Sequence, residues 1–163
     1  MKLLLVDDHQ VVRQGIANLL RSMLPAVAIT EVETGQGAVT RFGELRPDVV
    51  VLDMGLPDIS GLEVARRLRQ RWRNASILFF TMHDELPMVR QALDVGGLGF
   101  VSKNCAPEEL TEAVKRVAAG QAYIEHPIAT RLAMNHERPI DQRLKEMTQR
   151  EMEVLMMYAR GEN

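Results

Sequence analysis

The hydrophobic positions of this chain form short apolar runs that alternate with longer segments of helical period. Short apolar runs are typical of buried strands, and apolar residues three or four positions apart mark one face of a helix. The apolar runs begin at Leu3, Ala28, Val49, Ile77 and Phe100. A helical segment follows each run, and the last one has Pro107 at its start and Gly120 just past its end. The pattern therefore predicts alternating strands and helices over residues 1–120.

This alternation predicts an α/β fold. Strands that are apolar on both faces and separated by helices indicate a parallel sheet with helices on both sides. The run at 28–32 is the weakest strand, and the run at 49–52 is the strongest. No internal repeat is visible, so a solenoid is not expected.

The pattern changes after residue 120. Residues 121–146 contain Pro127, Pro139 and many polar positions, and they are interpreted as a linker with helical character around 128–134. Thr148 and Glu151 then have the spacing of a capping box, in which a hydroxyl and a carboxylate bind the first free N–H groups of a helix. A further helix is therefore predicted within residues 147–163.

Composition and charge exclude several classes of protein. Hydrophobic residues make up 46% of the 163 positions and charged residues 26%, as in ordinary globular domains. A net charge of -2 argues against a strongly basic polyanion binder, and the single Cys105 excludes an intramolecular disulfide. The apolar runs are too short for a membrane helix, and no signal peptide precedes Asp7. We therefore expect a soluble, cytoplasmic protein.

Polar side chains stand where the predicted strands end. These residues are Asp7 and Asp8, Asp53, Thr81 and Lys103. In an open parallel sheet, ligands bind beyond the carboxyl ends of the strands, so the five side chains should share one edge. Three close carboxylates need a cation, and oxygen ligands suit Mg²⁺. A carboxylate can attack phosphorus to form an acyl phosphate, with the hydroxyl and the ammonium group binding the phosphoryl oxygens.

Each of these residues has a plainer interpretation when it is taken alone. An aspartate at a strand end often caps a helix, and Asp8 or His9 could cap the first one. A lone threonine or lysine there is usually a turn or surface residue. Their joint placement on one sheet edge favours a functional site.

Four motifs carry a resemblance to a known family. They are Leu5–His9, Leu52–Gly61, Thr81 and Gly99–Lys103. With them the chain resembles the bacterial two-component response regulators of the NarL/FixJ (LuxR-type) family. The resemblance implies a receiver domain over residues 1–120 with a flavodoxin-like, five-stranded parallel sheet in the order 2-1-3-4-5.

The resemblance also implies roles for the site residues. Asp53 would be the phosphoacceptor. Asp8, Asp53 and the backbone carbonyl of Gly55 would hold Mg²⁺, and Asp7 would hold it through water. The chain would then be a phosphoacceptor rather than an enzyme, with self-catalysed phosphorylation and dephosphorylation left open.

The switch residues and partners follow from the same resemblance. Thr81 and Lys103 would contact the phosphoryl group, and Phe100 would change rotamer. A sensor histidine kinase would supply the phosphoryl group, and phosphorylation would favour a homodimer. No membrane partner is implied.

A second resemblance covers residues 147–163, which look like the opening of a LuxR-type helix-turn-helix domain. The recognition helix that enters the major groove would follow it, so DNA would be bound only through helices absent from this sequence. We expect a shortened form of a transcription factor; a receiver-only protein that acts through protein contacts is the alternative. A dehalogenase-like phosphatase would need an acid two residues after Asp53, where Gly55 stands.

Overall fold

The computed structural model describes residues 1–134 together with Glu151 and Val154. The strands are β1 (Lys2–Val6), β2 (Ala28–Val32), β3 (Val49–Leu52), β4 (Ile77–Thr81), β5 (Gly99–Ser102) and β6 (Tyr123–Ile124). The helices are α1 (Gln10–Met23), α2 (Gly35–Leu45), α3 (Gly61–Arg71), α4 (Leu86–Asp94), α5 (Pro107–Ala118) and α6 (His126–Met134). Thr148, where a capping box was predicted, and the second half of the predicted linker lie outside the described residues.

The strands form one parallel sheet in the order β2-β1-β3-β4-β5-β6. The predicted α/β class and the order of the first five strands are confirmed. The prediction of five strands is corrected to six, because Tyr123 and Ile124 pair with Gly99 and Phe100 of β5. This strand has only two residues, too few to show a strand period, and it therefore falls within the predicted linker.

Burial follows the position of each strand in the sheet. Every residue of β3, β4 and β5 is buried, because these strands have neighbours on both sides. The edge strand β2 is only partly buried, which explains its weak apolar pattern. The helices pack in pairs, α1 with α5 and α2 with α3, while α6 packs against α4. None of the described helices has the length and apolarity that a membrane span requires.

Polar side chains fix the first turns of the helices that border the site. Ser60 accepts a hydrogen bond from the Glu63 N–H at the start of α3. Asp58, in the loop between β3 and α3, accepts hydrogen bonds from the N–H groups of Gly35 and Gln36 at 2.8 Å each. These bonds lower the pKa of Asp58 to about 2. The loop after β3 is therefore anchored to the first turn of α2.

Two described residues lie further along the chain. Glu151 and Val154 are helical and are only 5% and 4% exposed. The Glu151 carboxylate is 3.9 Å from Arg90 Nε on α4. These two residues therefore pack against the domain formed by residues 1–134.

Candidate functional site

The carboxyl edge of the sheet brings together the predicted site residues. Asp7 follows β1, Asp53 follows β3 and Lys103 follows β5, while Thr81 is the last residue of β4. The Asp7 N–H donates to the Val32 carbonyl, and the Asp53 N–H donates to the Val6 carbonyl. The sheet ladder therefore continues to these residues and holds their backbones at its edge.

Lys103 forms ion pairs with two of the aspartates. Its Nζ lies 2.6 Å from Asp7 Oδ2 and 2.9 Å from Asp53 Oδ2. The side chains of Lys103, Asp7 and Asp53 are 12%, 2% and 7% exposed. Burial disfavours the ammonium charge, but the hydrogen bonds and the charges of both carboxylates outweigh burial, and the pKa of Lys103 is raised. This ammonium group therefore stays charged in a water-poor site.

Asp8 and His9 extend the group toward solvent. The Asp8 side chain is 32% exposed, and His9 Nδ1 lies 3.1 Å from Asp8 Oδ1 and 3.3 Å from Asp7 Oδ1. His9 precedes α1, but its side chain makes no capping hydrogen bond to the helix. Its ring contacts the two carboxylates instead. Helix capping was the only individual role that the sequence suggested for His9. Its position directly after two aspartates was the signal for a contact with them.

These side chains could hold a cation. One ligand atom each from Asp7, Asp8, His9 and Asp53 lies within 4.8 Å of all the others. A single ammonium group, that of Lys103, does not balance three carboxylates. A divalent ion that prefers oxygen ligands fits both the donor set and the remaining charge.

The backbone fixes the orientation of the Asp53 carboxylate. Its Oδ1 accepts a hydrogen bond of 2.8 Å from the Met54 N–H, while Oδ2 faces Lys103. The first residue of α3, Gly61, passes so close that a Cβ atom there would lie 2.2 Å from the Asp53 carbonyl oxygen. Gly55, the predicted carbonyl ligand, is exposed in the intervening loop. The close approach of α3 explains why glycine is required at position 61.

Thr81 and Phe100 are buried in the neighbouring strands. Thr81 is fully buried, and its Oγ1 accepts a hydrogen bond of 3.2 Å from the His83 N–H. Phe100 is also fully buried, with its ring centroid 6.3 Å from that of Phe79. The structure therefore places Thr81 at the site edge and Phe100 inside the fold, and the switching roles predicted for both stay predictions.

Arg13 is a site-supporting residue that the sequence analysis missed. Its Nη1 donates to the Asp7 carbonyl at 2.7 Å, and its Nε donates to Glu31 Oε1 at 3.1 Å. Only 11% of its side chain is exposed. A polar residue on a helix is ordinarily a surface residue, so nothing in the sequence distinguished this arginine from the others.

The chain matches known families and relatives over most of its length. Residues 3–115 match the response regulator receiver domain. The transcriptional activator protein ExaE of Pseudomonas putida is 48% identical over 164 residues, which cover 99% of this chain and 77% of that protein. The response regulator UvrY of Escherichia coli (strain K12) is 32% identical over 164 residues, which cover 99% of this chain and 75% of that protein.

Solved structures show the same similarity. A LuxR-family two-component response regulator from Aurantimonas sp. SI85-9A1 superposes with a TM-score of 0.78 at 35% identity, over 82% of this chain and 96% of that one. The receiver domain of the response regulator NarL from Mycobacterium tuberculosis gives a TM-score of 0.69 at 31% identity, over 74% of this chain and 97% of that one.

Proposed function

The chain belongs to the response regulators, as a two-component receiver of the LuxR-type group, and from that premise we propose that Asp53 is its phosphoacceptor. The observation that carries this proposal is the pairing of buried Asp53 with the Lys103 ammonium group at 2.9 Å. A phosphoryl group bound to this carboxylate would lie next to the Lys103 ammonium group, which can pair with the phosphoryl oxygens. A sensor histidine kinase is the proposed phosphoryl donor.

Each residue of the site has a separate role in the proposed phosphoryl transfer. An oxygen of Asp53 forms a bond to phosphorus while the bond between phosphorus and the imidazole nitrogen of the donor breaks. Lys103 then pairs with a phosphoryl oxygen, and the Thr81 hydroxyl donates to another. The Met54 N–H holds the carboxylate in orientation, so little rearrangement precedes the attack.

Mg²⁺ is the proposed cofactor because the donor set is mainly carboxylate oxygen. Asp8, Asp53 and the backbone carbonyl of Gly55 would hold it, with Asp7 bound through water. When bound, it would neutralise negative charge on the transferring phosphoryl group. Lys103 already pairs with one oxygen each of Asp7 and Asp53, and the Asp8 carboxylate, at 32% exposure, is the most accessible of the three to an ion.

The proposed output is control of transcription. The name of one relative, the transcriptional activator protein ExaE, supports it. In this proposal phosphorylation moves Thr81, repacks Phe100 and favours a homodimer in the cytoplasm. DNA would be bound through a helix-turn-helix domain that opens within residues 147–163. The chain acts as a phosphoacceptor, not as a turnover enzyme.

Labelling with acetyl phosphate and Mg²⁺ tests the phosphoacceptor. We expect one phosphoryl group per wild-type chain by intact mass, and none on D53N. The matched control is D48N, because Asp48 is an exposed aspartate that accepts a hydrogen bond from the Lys2 N–H on the opposite edge of the sheet. Equal labelling of D53N and wild type would refute the assignment.

A further inference from the structure

The segment formed by β6 and α6, which we call the β6–α6 arm (residues 123–134), contacts the loop that follows Thr81. Arg131 Nη2 donates to the Asp84 carbonyl at 3.0 Å and lies 3.5 Å from Asp84 Oδ2. Asp84 belongs to the loop between β4 and α4. Both side chains are more than two-fifths exposed, so this ion pair is weak and can break and form again reversibly.

The arm also contacts the end of β5, directly before Lys103. Glu125 Oε1 accepts a hydrogen bond of 2.7 Å from the Ser102 N–H. The Glu125 N–H donates to the Phe100 carbonyl at 3.1 Å. One residue of the arm is therefore bonded to the backbones of both Phe100 and Ser102.

The contact between Arg131 and Asp84 and the contact between Glu125 and Ser102 are electrostatically coupled. Burial is the main cause that raises the pKa of Glu125, and the hydrogen bond from Ser102 opposes it. The charges of Glu109 and Asp84 raise this pKa further, while the charge of Arg131 lowers it. Asp84 and Arg131 therefore act on Glu125 as well as on each other. The arm is thus coupled to two loops, the one between β4 and α4 and the one between β5 and α5 (residues 103–106).

Both loops are bonded to the candidate site and to each other. The Thr81 hydroxyl accepts the His83 N–H, and the next residue is Asp84. The Lys103 N–H donates to the Thr81 carbonyl at 2.9 Å. A movement of Thr81 or Lys103 toward a phosphoryl group would thus displace Asp84, Ser102 or both.

Resting on the function proposed above, we propose that the β6–α6 arm is a clasp that holds the loops after β4 and β5 in the unphosphorylated arrangement and is released when Asp53 is phosphorylated. The clasp consists of the contact between Arg131 and Asp84 and the contact between Glu125 and Ser102. Phosphorylation draws Thr81 and Lys103 toward the phosphoryl group, and the contact of Arg131, the more exposed of the two, breaks first.

Linkage makes this proposal reciprocal. If binding at Asp53 opens the clasp, then weakening the clasp must strengthen binding at Asp53 by the same factor. Loss of one exposed ion pair corresponds to a change of about two- to five-fold. We therefore expect R131Q to bind the phosphoryl analogue beryllofluoride, with Mg²⁺, about two- to five-fold more tightly than the wild-type chain.

Amide hydrogen exchange of the full chain, with and without beryllofluoride and Mg²⁺, tests the release directly. In the wild type we expect faster exchange in residues 126–134 when the analogue binds. In R131Q this helix should exchange faster already, with a smaller further increase. The matched control is R41Q, because Arg41 forms an ion pair with Glu44 within α2, at similar exposure and away from the arm.

The possible results separate the clasp from the function on which it rests. Binding of the analogue to wild type with unchanged exchange in 126–134 would refute the clasp and leave Asp53 as the phosphoacceptor. Equal affinities of R131Q and R41Q for the analogue would also refute it. Failure of the wild type to bind beryllofluoride at all, together with failure to be labelled by acetyl phosphate, would overturn the proposed function and the clasp with it.

Discussion

Two charged regions of this molecule pair carboxylates with cationic side chains, and the distances between nitrogen and oxygen atoms are nearly the same in both. In the site cluster (Asp7, Asp53 and Lys103), the ammonium nitrogen lies 2.6 and 2.9 Å from carboxylate oxygens. In the α3 face (Glu63, Arg66 and Arg67), guanidinium nitrogens lie 3.0 and 2.9 Å from carboxylate oxygens. The regions differ in exposure, since the site side chains are 2–12% exposed and those of the α3 face are 28–51% exposed.

The difference in burial decides what each region can do. Charges in water are screened, so the ion pairs of the α3 face contribute little and their partners can exchange freely. Charges at the buried sheet edge depend on each other, because neither carboxylate of the site cluster can be solvated in place of its lysine. A group that replaces one member of the site cluster therefore changes the energy of all the others, which is what a switch requires.

Removal of the lysine should have the largest effect. In K103M the carboxylates of Asp7 and Asp53 lose their buried cation, and we expect the free energy of unfolding to fall by about 3–5 kcal/mol in EDTA. Mg²⁺ should restore part of this loss, because a cation then balances the carboxylates again. Urea denaturation with and without Mg²⁺ measures both effects.

The control for this experiment is K115M, which removes an exposed lysine of α5. Its unfolding free energy should stay close to that of the wild type and should not respond differently to Mg²⁺. If K103M lost no more stability than K115M, the site cluster would be energetically similar to a surface ion pair, and the contrast between the two regions would fail.

The backbone under the site should be nearly as sensitive. G61A places a Cβ atom 2.2 Å from the Asp53 carbonyl oxygen, and a backbone atom cannot move aside as a flexible side chain can. We expect a loss of roughly 1–3 kcal/mol, measured by thermal or urea denaturation. Weaker labelling by acetyl phosphate should accompany it, because the Asp53 backbone must shift.

Gly15, at an exposed position of α1, offers the matched substitution. A Cβ atom there meets nothing within 4 Å, and alanine is the better helix former. G15A should therefore raise the unfolding free energy by roughly 0.5–1 kcal/mol. Similar effects of G61A and G15A would show that the close approach of α3 to the site does not constrain the fold.

Much of the fold and the site edge could be predicted from sequence. The bounds 28–32 for β2 and 49–52 for β3 agree with the apolar runs expected from the sequence. Once strands and helices alternate, the parallel rule places the strand ends together, so the meeting of Asp7, Asp53 and Lys103 follows from the pattern. Local pattern sufficed there because it fixes which residue ends each strand.

The contacts that were missed depend on residues far apart in the chain. Arg131 and Asp84 are separated by 47 positions, and Arg13 and Glu31 by 18. These polar residues lie on helices, in a loop or in the edge strand β2, and no sequence period distinguishes a solvated side chain from a hydrogen-bonded one. The two-residue strand β6 was missed because it is defined by its pairing with β5. A short stretch of sequence does not show with which strand it pairs.

The α3 face should respond least, and E63Q tests it most cleanly. Glutamine at position 63 can still serve the first turn of α3, where Ser60 accepts the Glu63 N–H, so the substitution removes only the charge. Hydrogen bonds from Arg66 and Arg67 lower the pKa of Glu63, so the carboxylate is ionised at neutral pH and its ion pairs are formed.

We expect no measurable change in the urea midpoint of E63Q at physiological salt, and only a small decrease at low salt, where screening is weaker. Acetyl phosphate labelling should be unchanged, because Glu63 touches no member of the site cluster among the described residues. A loss as large as that of K103M would mean that ion-pair distance rather than burial determines the energy. The near-equality of the distances in the two regions is what makes this comparison decisive.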